Sequence, residues 1–174
     1  MLDRLKEYIF RYCLSKQPKR EVKWEQWNNV RNILVLYESD WTERNVVIKQ
    51  LRDSMLLEDK DVTIWGFVDK RDITSLILPQ SRILGARDLT LYGAPKQEVI
   101  EELQKRYYDL LIDLTQHPSL PLKYLSLYTR ASLKIGLQLG EGIHDFMVSM
   151  PAEEDPKHLF EQMKYYLSTI RSQS

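Results

Sequence analysis

The sequence predicts an α/β protein of three layers, in which a mostly parallel sheet of five or six strands lies between two layers of helices. One observation is the short apolar run over residues 108–114, which follows a helical segment and precedes a turn with Pro118. Another is the continuous apolar run 32–37, which suits a strand buried on both faces. The run 62–68, rich in β-branched and aromatic residues, adds a further strand. Alternation of such strands with helices predicts parallel strands joined by right-handed crossovers.

An amino-terminal helix is predicted before the sheet begins. Residues 2–15 form an amphipathic pattern whose apolar stripe contains Leu2, Leu5, Ile9 and Tyr12/Cys13. Pro18 prevents the helix from continuing. We therefore expect residues 1–28 to form a helix with a basic linker, and residues 29–174 to form a single Rossmann-like domain.

The core elements follow one another in a strand-and-helix alternation. The predicted strands occupy residues 32–37, 62–68, 89–92, 109–114, 133–137 and, at an edge, 145–149. A second short apolar piece, 76–78, is the weaker choice for the third strand. The predicted helices run to about Leu57 after a cap at Ser39 or Asp40, then from Pro95, from a cap at Ser119, and from Asp155-Pro156.

Three acidic residues end predicted central strands: Glu38, Asp69 and Asp113. We expect strand 32–37 to neighbour both 62–68 and 109–114, which places Glu38 and Asp113 at a common carboxyl edge. Paired carboxylates there can act in hydrolysis or group transfer, or Glu38 and Asp113 can hold a divalent cation such as Mg²⁺. His117, which follows Asp113 closely, completes this candidate catalytic set. The alternative is that each acid caps a helix or accepts hydrogen bonds from loop amides.

Standard nucleotide and nucleophile motifs are missing from the sequence. No glycine follows the first predicted strand, where a dinucleotide site needs the backbone to approach a pyrophosphate, and no P-loop is present. There is no Gly-x-Ser-x-Gly motif, and the three histidines lack metal-ligand spacing. The sequence therefore predicts no cofactor.

Composition favours a cytoplasmic protein. The formal net charge is zero, so no overall field attracts nucleic acid or an anionic membrane. Cys13 is the one cysteine, which excludes an intrachain disulfide. We expect neither a signal peptide nor a transmembrane segment, because charges interrupt the first 16 residues and no apolar run approaches about 20 residues.

The segment after the first helix is a candidate interaction site. Its cations and tryptophans are Lys19, Arg20, Lys23, Trp24 and Trp27. Basic residues beside aromatic ones can contact single-stranded nucleic acid or a membrane interface. The alternative is a solvated linker whose tryptophans pack back on the domain. The preceding helix can dock on the sheet, form a homodimer or contact a membrane.

Two resemblances follow from particular segments. The runs 108–114, 121–126, 131–136, 145–147 and 162–167 resemble the carboxyl-terminal half of an uncharacterised family of small bacterial proteins, which implies a Rossmann-like domain without an assigned activity. The runs 108–114 and 134–136 are also similar to the acceptor-side domain of heptosyltransferase-like glycosyltransferases. Those enzymes need a second, nucleotide-sugar domain, for which 174 residues leave no room, and no catalytic residue is transferred from them.

Together these observations favour a small cytosolic binding or interaction module of unknown ligand. A hydrolase or transferase that uses the edge carboxylates is one alternative. A peripheral membrane or nucleic-acid adaptor that works through residues 2–27 is another.

Overall fold

The computed structural model describes residues 1–39, 42–69, 79–139, 142–149 and 155–170. Within these ranges the strands are β1 (Asn32–Glu38), β2 (Asp61–Phe67), β3 (Ser81–Leu84), β4 (Tyr108–Asp113), β5 (Ala131–Leu137) and β6 (Phe146–Val148). The helices are α1 (Leu2–Ser15), α2 (Thr42–Leu57), α3 (Gln97–Gln104), α4 (Leu120–Tyr128) and α5 (Pro156–Thr169). The predicted α/β class is confirmed.

The six strands of the described residues form one parallel sheet in the order β3-β2-β1-β4-β5-β6. β1 pairs with both β2 and β4, so the predicted neighbours of the first strand are confirmed. Leu36 of β1 lies opposite Asp113 of β4. Because Glu38 lies two residues beyond Leu36, Glu38 and Asp113 share an edge of the sheet but do not lie opposite each other.

Both faces of the sheet are covered, which explains why its central strands are apolar without interruption. Successive side chains of β1 point to opposite faces. Ile33, Val35 and Tyr37 belong to a core that includes α2 and α5, whereas Leu34 and Leu36 belong to a core that includes α3 and α4. The sheet with its two helical layers is the predicted three-layer arrangement.

The predicted position of the third strand was wrong. We expected it at 89–92, but β3 occupies Ser81–Leu84, and Leu89 makes only an isolated antiparallel bridge with Pro95. The side chains of Leu91 and Tyr92 are 90% and 47% exposed, so this apolar piece contributes little to the core. The weaker alternative, 76–78, and the predicted cap at Asp40 lie outside the described residues.

Helix α1 packs on α4 mainly through Phe10, which lies beside its predicted apolar stripe, and Cys13 is the residue of that stripe that joins the contact. Phe10 is fully buried and its ring meets that of Tyr124 edge to face, with 4.9 Å between ring centroids. Leu2, Leu5 and Tyr12 of the stripe are 56%, 45% and 56% exposed. Among the described helices, including α1, none combines the length and apolar character that crossing a membrane requires.

Candidate functional site at the carboxyl edge of the sheet

A cleft of about 540 Å³ lies at the carboxyl edge of the sheet. After β1 the chain continues into α2, which packs on one face of the sheet, and after β4 it continues into α4 on the other face. Divergence of two connections from neighbouring strands opens a crevice, and α/β proteins bind ligands at such a point. Its lining comes from α1, the ends of β1 and β2, and the segments before α3 and α4: Asp3, Lys6, Glu7, Glu38, Phe67, Asp69, Leu89, Gly93, His117, Pro118, Ser119, Leu120, Pro121 and Lys123.

Glu38 is buried at the base of this cleft and binds the β4–α4 loop. Its Oε2 accepts a hydrogen bond from Nη1 of Arg44 at 2.6 Å, and its Oε1 accepts one from the backbone N–H of His117 at 2.9 Å. Nη2 of Arg44 also donates to Oε1 of Gln116 at 3.2 Å. The Glu38 carboxylate is therefore neutralised by Arg44 and used to fix the loop that carries His117.

The His117 side chain is the exposed part of this arrangement. It is 59% exposed, and its Nδ1 lies 3.4 Å from Oε1 of Glu38. Asp69, at the end of β2, is also exposed and lines the same cleft. Three of the four candidate catalytic residues, Glu38, Asp69 and His117, are thus brought to one cleft.

Asp113 lies in a separate cluster that also contains His144. Nε2 of His144 is 3.0 Å from Oδ2 of Asp113 and 3.1 Å from Oγ of Ser126. The other carboxylate oxygen of Asp113 accepts from the N–H of Thr115 at 3.0 Å. In a Ser-His-Asp catalytic triad the serine and the aspartate bond to opposite ring nitrogens. Here both partners contact Nε2, so the cluster lacks the geometry of a triad.

Gly136 makes room for His144. A Cβ on Gly136 would lie 2.6 Å from both Cε1 and Nε2 of the His144 ring. The histidine therefore lies directly on the backbone of β5. An isolated glycine in a predicted strand can mark a close approach of this kind, so Gly136 is the sequence signal that could have revealed such a contact, although a glycine does not identify its partner.

A small cavity of about 20 Å³ adjoins this cluster and shares Ser119 and Lys123 with the larger cleft. Asp113 and His144 line it, as does Thr115. The buried hydroxyl oxygens of Thr115 and Ser119 have no hydrogen-bond partner. The volume suits one water molecule, which such hydroxyls can bind.

The edge carboxylates do not form a metal centre of three or more ligands. No group of at least three His, Cys, Asp or Glu side chains that could hold a metal ion occurs in the part of the chain that the structure describes. Glu38 and Asp113 each accept hydrogen bonds from loop amides, as the alternative interpretation expected. Their catalytic and metal-binding roles stay predictions.

Residues of the candidate interaction segment contact the domain itself. Arg20 donates to the backbone oxygen of Ala131 at 2.8 Å and pairs with Asp145. Nε1 of Trp24 donates to the backbone oxygen of Ile170 at 3.2 Å. Trp27 is buried, and its Nε1 donates to Oε2 of Glu58 at 2.6 Å.

The two lysines of the segment lie at the surface. Lys23 pairs with Glu25 at 2.6 Å, and Lys19 is exposed. Whether these residues also bind a partner stays a prediction.

Lys134 of β5 is a buried cation that sequence reasoning missed. Its Nζ donates to the backbone oxygens of Ser126 and Leu127 at 2.6 and 3.1 Å, near the carboxyl end of α4. Burial, with a smaller contribution from Arg20, lowers the pKa of Lys134 to about 7. The Lys134 ammonium thus donates hydrogen bonds to backbone carbonyl groups at the end of a helix, which is a structural role.

Comparison with known proteins identifies the family of the chain. No curated protein matches the chain. Among solved structures, "E. coli heptosyltransferase WaaC with ADP" is similar to it with a TM-score of 0.46 and 13% sequence identity, over 81% of this chain and 48% of that one. The chain therefore spans about half the length of that structure. Residues 4–170 match the family described as "Family of unknown function (DUF6913)", and the chain belongs to that family.

Proposed function

We propose that the protein is a binding module whose ligand, a small polar molecule that is uncharged or positively charged, occupies the carboxyl-edge cleft. The observation that carries the proposal is the exposed His117 ring in a cleft of about 540 Å³ over the divergence of the β1 and β4 connections. A cleft of this size is within the range of small-molecule sites. The rigid support of the His117 loop by Glu38 and Arg44 keeps the ring in place without a ligand.

The charges of the lining favour this class of ligand. Among the described residues that line the cleft, the carboxylates of Asp3, Glu7, Glu38 and Asp69 outnumber two lysines. One of those lysines, Lys123, lies 3.4 Å from Glu7, and the Glu38 charge is paired with Arg44. An excess of negative charge repels phosphate groups and attracts amines. No glycine follows β1 in the sequence before α2, whereas phosphate-binding loops at this point of an α/β sheet are rich in glycine.

The same contacts weaken the enzymatic alternative. A general base or metal ligand at Glu38 would have to exchange Arg44 and the His117 amide for substrate or metal. Breaking a buried ion pair costs about 3–5 kcal/mol. If Glu38 only holds the loop beneath the exposed His117 side chain, no such exchange is required.

Nuclear magnetic resonance of the histidine rings tests the proposal. The protein is titrated with a panel of polyols, amines, amino acids and phosphate esters, and the ring signals of His117 and His158 are followed. His158 is the control because it is exposed on α5, away from the cleft. We expect a polyol or an amine to shift the His117 signal while His158 stays unchanged. A panel in which phosphate esters alone bind, or in which no compound shifts His117, would contradict the proposal.

We also propose that the chain works in the cytoplasm of a bacterial cell. The single cysteine, Cys13, and the resemblance to small bacterial proteins support this placement. A homodimer stays a prediction, and light scattering at several protein concentrations distinguishes it from a monomer.

A further inference from the structure

Helix α1 presents an unpartnered apolar face to solvent. The side chains of Leu2, Leu5, Tyr8 and Tyr12 are 45–68% exposed and follow one another at helical spacing. At 100° per residue Leu5, Tyr8 and Tyr12 lie about 140–160° around the helix axis from Phe10, which is fully buried against α4, and Leu2 lies at the margin, about 80° from it. The domain therefore leaves an apolar stripe of α1 uncovered.

The charges beside this face are mostly positive. Arg4 and Arg11 are exposed on the same helix, and Lys16 and Lys19 are exposed just beyond its end. Asp3 is the one acidic residue of α1 that is exposed to a similar degree. Because the whole chain has no formal net charge, this excess of cations is a local property of the helix and not a general basicity.

We infer that the outward face of α1 docks on a membrane surface that carries anionic lipid headgroups. A helix with leucine and tyrosine on one face and Lys or Arg beside it lies in the plane of such an interface, with its apolar side chains among the acyl chains. The cations are opposite in charge to the headgroup phosphates and attract them. The Phe10–Tyr124 contact holds the helix on the domain, so docking requires no rearrangement of the sheet.

Other occupants fit the face less well. Two copies of the chain paired through α1 would bring Arg4, Arg11 and Lys16 of each copy towards the same cations of the other. Nucleic acid would satisfy these cations but would leave Leu2 and Leu5 in water. An anionic membrane satisfies both the charge and the apolar side chains.

Vesicle co-sedimentation of the full chain tests this inference. The vesicles contain phosphatidylcholine alone or phosphatidylcholine mixed with phosphatidylglycerol. We expect the protein to sediment with the mixed vesicles, to remain in solution with the neutral ones, and to be released by salt. The Arg4→Gln/Arg11→Gln variant is expected to bind roughly 25-fold less, since each cation near an anionic surface multiplies partition about fivefold.

Matched variants separate the face from general surface effects. Leu5→Ser/Tyr12→Ser removes two outward side chains of α1, and Leu57→Ser/Tyr165→Ser removes the same residue types from α2 and α5, where they are 87% and 62% exposed. Lys49→Gln/Lys157→Gln is the corresponding charge control. We expect the α1 variants alone to lose vesicle binding while their circular dichroism and thermal melts match the wild type.

Three results would overturn the inference. One is equal sedimentation with neutral and anionic vesicles, or none with either. Another is a concentration-dependent dimer that the Leu5→Ser/Tyr12→Ser variant abolishes, which would assign the face to a second copy. The last is oligonucleotide binding that depends on Arg4 and Arg11 while vesicle binding is absent.

Discussion

Substitution of Gly136 by alanine is expected to displace the His144 ring from Asp113. The new Cβ would lie 2.6 Å from Cε1 and Nε2 of the ring and 2.8 Å from its Cδ2. Carbon atoms in contact prefer about 3.5–4.0 Å, so the ring has to move by about 1 Å. The 3.0 Å contact between Nε2 and Asp113 does not survive such a shift as a hydrogen bond.

The cost follows from the contacts that are lost. A hydrogen bond to a charged group contributes about 1.5–3 kcal/mol, and alanine regains about 0.5–1 kcal/mol relative to glycine within a strand. We therefore expect Gly136→Ala to lower the free energy of unfolding by about 1–2 kcal/mol. Equilibrium urea denaturation, followed by tryptophan fluorescence, measures this difference.

A double-mutant cycle with His144→Ala identifies the cause. Without the imidazole ring the added methyl group meets no obstacle from it, so Gly136→Ala should be neutral or slightly stabilising in that background. Equal destabilisation in both backgrounds would refute the proposed clash with His144. So would wild-type stability of the single Gly136→Ala variant.

Three further predictions concern buried contacts. Glu38→Gln should cost about 3 kcal/mol in urea denaturation because it removes the charge of Glu38 from its 2.6 Å contact with the buried Arg44, and much less in an Arg44→Met background; equal costs would contradict the ion pair. Lys134 has a pKa of about 7 in the folded chain, below its unfolded value of 10.5, so the unfolded state binds more protons between these two pH values. The free energy of unfolding should therefore rise from pH 7 to pH 10 by at most about 1.4 kcal/mol per pH unit. Lys134→Met should remove that part of the rise, and an unchanged pH profile would contradict the assignment. The comparison stops at pH 10 because above it unfolded tyrosine ionises while folded Tyr124, whose pKa burial raises to about 12, does not. Phe10→Ala should weaken the docking of α1 by about 3 kcal/mol and speed hydrogen exchange in α1 but not in the sheet; uniform exchange rates would count against separate docking.

The central strands were predictable because a strand buried on both faces consists of consecutive apolar residues. β1 and β4 are apolar throughout, since helices cover both of their faces. β3 was missed because an edge strand needs less apolar sequence: Ser81–Leu84 begins with a serine and an arginine. A more apolar piece nearby, 89–92, competed with it in sequence but lies largely at the surface.

The site was predictable only where its contacts are local. The Glu38–Arg44 pair joins residues six positions apart across the start of α2, and the edge carboxylates follow directly from the strand ends. The His144–Asp113 contact joins residues 31 positions apart and depends on β5 lying beside β4. The offset of two residues between Glu38 and Asp113 comes from the strand register, which apolar runs do not determine.

The face with which α1 packs was also beyond the sequence pattern. Periodicity selects the stripe with the most apolar side chains, but Phe10, which lies off that stripe, fills the contact with α4. The apolar stripe of a helix packs on its own domain only when the domain is the surface that the stripe binds. On α1 the exposed apolar stripe and the face that packs on α4 differ, and this difference supports a separate contact for the outward face.

Calorimetric titration of the strongest panel ligand into wild-type protein and into the His117→Ala and His158→Ala variants tests the carboxyl-edge site most directly. A ring that contacts the ligand in the cleft predicts at least a tenfold loss of affinity for His117→Ala, about 1.4 kcal/mol, and wild-type affinity for His158→Ala. Unchanged affinity in His117→Ala would place the binding elsewhere and remove the basis of the proposed function.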